Sequence, residues 1–206
     1  MSFPKCRGKS NRMNLTKTYD VTPVAHVMLL PGQKFEGCCE VIETECYTFS
    51  YANKSDLNDI GLFHVGKHCA NDFINFSGKV APPLFNPLTS VGVHGRSGTG
   101  IAGGGGVASV LCPLNKEIYE AISILTLAWG PPRAPLQKFL THLSINPSVP
   151  MSHSDVQHLN NIIGKIAGRT LTKIIAQLGQ GLPNIRAFTF PLVGTILAAN
   201  AKPNNF

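Results

Sequence analysis

Charge is scarce in this chain. Asp, Glu, Lys and Arg together make up 14% of 206 residues, against about a quarter in an ordinary globular chain. Acids are the rarer sign: 11 Asp and Glu stand against 18 Lys and Arg, a formal charge of +7. That balance favours an acidic partner, nucleic acid first; the plainer reading is a mildly basic solvated surface. No uninterrupted apolar run approaches the length of a membrane span. The opening stretch MSFPKCRGKSNRMNLTKTYD has no apolar core of a secretory signal. The expectation is therefore a cytoplasmic protein with reduced thiols and no membrane partner. The glycine-rich stretch 92–106 resembles a phosphate loop in composition, but lacks the Gly-Lys-Ser/Thr ending. It reads as a linker, with an anion-binding nest of backbone amides as the alternative.

What is present is enough apolar residue, 43%, to bury a sizeable core without staples. The pattern predicts an α+β chain: a small N-terminal antiparallel β-rich unit with one helix, then a mostly α-helical C-terminal bundle. Residues 1–17 hold Lys5, Arg7, Lys9, Arg12 and Lys17 and no acid, and read as a basic mobile arm. Residues 18–80 form the cysteine-rich β-hairpin and helix unit. Strands are predicted at Val21–Leu30, Phe35–Ile42, Cys46–Tyr51 and Leu62–Val65, with a helix over Lys67–Phe76. In the third strand Tyr47, Phe49 and Tyr51 alternate with Cys46, Thr48 and Ser50, so the aromatics share one face.

Residues 81–112 read as a Pro/Gly-rich linker and 113–206 as the helical domain. Asn115 is a plausible N-cap for a helix to Trp129. Leu136–Leu143 is a short helix, and Ser152 or Ser154 caps a longer pattern with Leu159, Ile162, Ile163, Ile166, Leu171, Ile174, Ile175 and Leu178 at helical spacing. A last helix spans Pro191–Ala199. Residues 1–80 carry 9 basic and 8 acidic residues, and residues 81–206 carry 9 and 3. Lys165, Arg169 and Lys173 fall four residues apart and would line one exposed face able to track phosphates. Asp155–Leu178 could also form a helix-turn-helix, or simply a bundle helix with a basic solvated side.

The six cysteines are Cys6, Cys38, Cys39, Cys46, Cys69 and Cys112. Four of them lie between Cys38 and Phe76. A structural zinc needs four thiolates or imidazoles converging tetrahedrally. Cys38, Cys39 and Cys46 fall on a hairpin, His64 on the next strand, and His68 and Cys69 at a helix start. Val65-Gly66-Lys67-His68-Cys69-Ala70 resembles the Val-Gly-x-x-Cys-Ala helix start of small treble-clef-like zinc modules, and the resemblance covers residues 36–76. It implies a zinc site, although the Cys-x-x-Cys knuckle of those modules is missing here. The ligand set that remains is Cys39, Cys46, Cys69 and His68; the alternative is a metal-free unit whose thiols are small hydrophobes.

Residues 23–35, PVAHVMLLPGQKF, are similar to an early capsid-strand motif of small single-stranded DNA phages, which implies a virion protein; the helical C-terminal half does not fit their jelly roll. Three functions stay open at this point. One is an accessory nucleic-acid-binding protein with contacts from Lys165, Arg169, Lys173, Arg7, Lys9 and Arg12. Another is a metal-free interaction or structural protein. The third is an enzyme with Cys69 as nucleophile and His64 or His68 as its base.

Overall fold

A computed structural model describes residues 4–89, 111–167, 170–182 and 184–206. The glycine-rich stretch 92–106 and Arg169 lie outside them. The chain is α+β, as expected. Helix α1 (Lys9–Thr18) leads into strand β1 (Tyr19–Met28), followed by β2 (Phe35–Glu36), β3 (Val41–Ile42), β4 (Glu45–Asn53), β5 (Ile60–Gly66) and α2 (Lys67–Ser77). Helices α3 (Pro113–Trp129), α4 (Ala134–Ile145), α5 (His153–Ala167), α6 (Leu171–Leu178) and α7 (Pro191–Ala199) complete it.

Strands β1, β4 and β5 form an antiparallel sheet in the order β1-β4-β5. The alternation in β4 sorts the two faces. Tyr47, Phe49 and Tyr51 enter one apolar cluster with Leu15, Phe63, Cys69 and Phe73, beneath α1 and α2. Cys46 enters the other, with Val27 of β1 and the inner faces of α3 to α7. Phe49 is fully buried, 5.3 Å from Phe63 and 5.6 Å from Phe73, centroid to centroid. Phe49 and Phe63 are also direct register partners, so a cross-strand pair anchors the helix.

Three boundaries differ from the sequence reading. Residues 9–17, expected as part of a mobile arm, belong to α1, because Leu15 is buried and the buried Arg12 pairs with the half-buried Asp72. The Phe35–Ile42 strand is instead the two short strands β2 and β3, joined by Gly37-Cys38-Cys39-Glu40. There the Gly37 amide bonds the Glu40 carbonyl at 2.9 Å, and a Cβ on residue 37 would stand 2.8 Å from that same oxygen. The first residues of the expected linker are structural. Phe85 exchanges backbone hydrogen bonds with His26 and Met28 on the edge of β1 away from β4. The β-unit and the helices therefore share a core.

The helical half is fastened by buried polar groups. Asn115, expected as a cap, lies inside α3, whose N-cap is Cys112. Its side chain donates to the Pro147 and Val149 carbonyls and accepts from the Met151 amide at 2.9 Å, holding the α4–α5 connection. The buried Glu117 carboxylate accepts from the Leu192 and Val193 amides at 3.1 and 3.0 Å. It thus occupies the positive end of α7, which has no cap of its own. Ser152 caps α5, accepting from the Asp155 amide, and Thr170 caps α6, accepting from the Lys173 amide.

His26 and Glu45 sit across β1 and β4, 2.9 Å apart, with the imidazole stacked on Tyr47 at 3.8 Å. Lys67 reaches the other carboxylate oxygen at 3.0 Å. Burial holds the His26 pKa below its usual 6.5, outweighing the attraction of Glu45. Burial would raise Glu45, but its bonds to Lys67 and His26 win and lower it. Both depressed values act in one direction. Unfolded chain takes up protons first, so stability is complete above pH 6.5 and falls as pH drops through that value, then again through the carboxylate range. The melting temperature is expected to fall between about pH 7.5 and 5.5; His64, held down to about 4 by burial, contributes in the same window, so His26→Gln should flatten that part of the profile partly and His26→Gln with His64→Gln should flatten it further. An equally steep profile in His26→Gln would assign the loss to other groups.

Candidate functional site: a four-thiol junction beneath a cationic helix

Three separate segments deliver sulfur to one place. Cys6 comes from the irregular segment before α1, Cys38 and Cys39 from the β2–β3 turn, and Cys69 from the first turn of α2. The Cys39 sulfur lies 3.3 Å from that of Cys69 and 3.7 Å from that of Cys6. The Cys6 amide donates to the Cys38 sulfur at 3.1 Å, and the Cys38 thiol faces the Pro4 carbonyl at 3.4 Å. Cys6 is completely buried although its segment has no regular structure. Cys38 and Cys39 are half-buried, which leaves the junction open on one side. The turn is set against the sheet by the Cys38 amide, which donates to the His64 carbonyl at 2.7 Å.

The electrostatics distinguish three of the thiols. Hydrogen bonding from Cys6 pulls the Cys38 thiol down to about 7. The same bond and burial push Cys6 far up. Burial, then the Cys39 contact, pushes Cys69 up to about 12. Arg12 sits beside them: Nη1 donates to the Cys6 carbonyl at 3.1 Å and lies 3.5 Å from the Cys69 sulfur. Its Nε and Nη2 both donate to Asp72 Oδ2, at 2.9 and 2.6 Å.

Of the residues expected to bind zinc, Cys39 and Cys69 are brought together and two others are not. Cys46 turns into the opposite apolar cluster, where burial pushes its thiol up to about 12, because alternation along β4 gives the first face to Tyr47. His68 is exposed on α2. Cys6 and Cys38 take up the contacts instead. Cys6 was not legible as a member, since 32 residues separate it from Cys38. Among the described residues, no group of three or more His, Cys, Asp or Glu side chains is placed, as it stands, to hold a metal ion. Around the expected nucleophile, burial pushes the Cys69 thiol up to about 12, His64 is pushed down to about 4 by burial and sits 3.1 Å from the Thr48 hydroxyl, and His68 is exposed.

The expected phosphate contacts divide similarly. Arg12 is buried in its pair with Asp72 and is not available. Lys5, Arg7, Lys9 and Lys17 are exposed. Lys9, Met13 and Lys17 recur every four residues, so they share the outer side of α1, while Arg12 and Leu15 face inward. No acid occurs before Asp20. Lys165 and Lys173 are exposed as well, but on different helices: α5 ends at Ala167 and α6 starts at Leu171, so the continuous eight-residue face does not exist. Among the described residues no helix is long and apolar enough to cross a membrane.

No curated protein and no solved structure matches this chain. A family profile does, over residues 5–205, which includes all four junction cysteines and the whole of α1. The chain belongs to the family described as uncharacterised conserved protein UCP028583.

Proposed function

We propose that the protein is an accessory nucleic-acid-binding protein whose phosphate contacts come mainly from the N-terminal cationic surface. The observation that carries this reading is the acid-free stretch before Asp20, which presents Lys5, Arg7, Lys9 and Lys17 to solvent on and beside α1. Each cation that neutralises a phosphate releases condensed counterions, which is what makes a solvated basic face a polyanion site. Lys165 and Lys173 supply further contacts from the helical half. The thiol junction serves the surface by fixing the segment from which Lys5 and Arg7 project, and Arg12 holds α1 to α2 from beneath.

Fluorescence anisotropy with labelled single- and double-stranded oligonucleotides at stepped salt tests this. The affinity is expected to fall with salt at a log–log slope of about −3, the value for three to four released counterions. Reversing Arg7, Lys9 and Lys17 to Glu together should weaken binding at least a hundredfold and flatten the slope, with the melting temperature unchanged. Binding that shows no salt slope, or that survives the triple reversal, would contradict the proposal.

A further inference from the structure

We propose that Cys6, Cys38, Cys39 and Cys69 form a tetrathiolate zinc site that fastens the segment before α1 to the β2–β3 turn and to α2. Two sulfur separations and the contact between Cys6 and Cys38 carry the argument. In a tetrahedron with Zn–S of about 2.3 Å, neighbouring sulfurs stand about 3.8 Å apart. The Cys6–Cys39 separation is 3.7 Å, and the Cys39–Cys69 separation of 3.3 Å needs to open by only a few tenths of an ångström. Closure round an ion further requires the Cys38 side chain to rotate, since its sulfur now faces the Cys6 amide and the Pro4 carbonyl. Three chain segments meet there, and Cys6 is completely buried within the apolar cluster beneath α1 and α2.

The surroundings suit thiolates. The Cys6 amide already donates to the Cys38 sulfur, the kind of outer-shell bond that orients a metal ligand. Cys69 is the third residue of α2, a helix with no side chain capping its N-terminus, where the helix dipole favours a negative sulfur. Arg12 lies 3.5 Å from the same sulfur. The balance is four thiols and one Zn²⁺ giving the tetrathiolate complex and four protons, with a net charge of −2 that Arg12 partly offsets. The half-buried Cys38 and Cys39 leave a path for the ion. This departs from the Cys-x-x-Cys knuckle: adjacent cysteines at the tip of a tight four-residue connection supply two ligands, and Cys6 supplies the one the hairpin lacks.

The test is cobalt(II) titration of the full, reduced chain, with zinc content measured on the protein as purified. One metal per chain is expected, with the sulfur-to-cobalt charge-transfer band of four thiolates and full displacement by zinc. Cys6→Ser, Cys38→Ser, Cys39→Ser and Cys69→Ser should each reduce the band and weaken affinity by more than the roughly 10–100-fold that a supporting residue is worth. Cys46→Ser and Cys112→Ser should leave both unchanged. The wild-type spectrum keeps the proposal testable where a variant fails to fold. A reduced wild-type chain that takes up no cobalt, a band that needs Cys46, or a Cys39–Cys69 disulfide in place of metal would overturn it. Metal binding without oligonucleotide binding would leave this site standing and sink only the nucleic-acid reading.

Discussion

Asp72→Ala is expected to destabilise the folded chain by about 3–5 kcal/mol, the usual cost of stranding one member of a buried ion pair. Arg12 and Asp72 are 6% and 15% exposed at the side chain, so water cannot replace the lost carboxylate without opening the α1–α2 contact. Arg12 also spans the Cys6 carbonyl and the Cys69 sulfur, which spreads the damage into the thiol junction. Urea unfolding checks this, read as a shift in midpoint at constant slope. The companion variant Arg12→Met with Asp72→Leu removes both charges and should recover most of the loss, since a buried pair replaced by apolar groups is often neutral. A small effect in Asp72→Ala would mean that Arg12 swings out to solvent and that α1 is held by Leu15 alone.

Phe49→Ala should cost a similar amount, about 3–5 kcal/mol. The ring is fully buried at the centre of the sheet, between Phe63 and Phe73. Its removal opens a cavity between β4, β5 and α2 that neither strand can close without breaking register. The lost ring pairs add about 0.5–1.5 kcal/mol each to the transfer cost. Val41→Ala is the control: at 59% exposed, it should stay within about 0.5 kcal/mol of the parent. Thermal and urea unfolding followed by circular dichroism would measure both. A loss in Phe49→Ala no larger than in Val41→Ala would mean that the aromatic cluster does not hold α2.

Local periodicity made some of this legible. Alternation in β4 separated Tyr47, Phe49 and Tyr51 from Cys46, and that separation explains why Cys46 is remote from the other thiols. The helix that starts after Gly66 and the last helix over Pro191–Ala199 were equally local, and so readable. Arg12 was misread because an arginine in an acid-free stretch looks solvated, and Asp72 lies 60 residues away. Cys6 was missed for the same reason: it has no neighbour in sequence that marks it. Residues 85–89 looked like linker because prolines dominate their surroundings, yet the open edge of β1 supplies Phe85 with partners that composition cannot show. The two-cysteine turn was hidden inside an apparent strand, since Phe35 and Ile42 suit one long β-run as well as two short ones. In each case the missing information is a long-range contact.

The most direct measurement is whether zinc shields the four junction cysteines from alkylation. Alkylation of the full reduced chain, read by peptide mass spectrometry before and after chelation, should show Cys6, Cys38, Cys39 and Cys69 protected with metal and labelled together once it is removed. The half-buried Cys112 should react in both states, and the buried Cys46 in neither until the chain unfolds. Unchanged labelling of Cys6 and Cys38 on chelation, or metal-dependent protection of Cys46, would contradict the four-thiol junction.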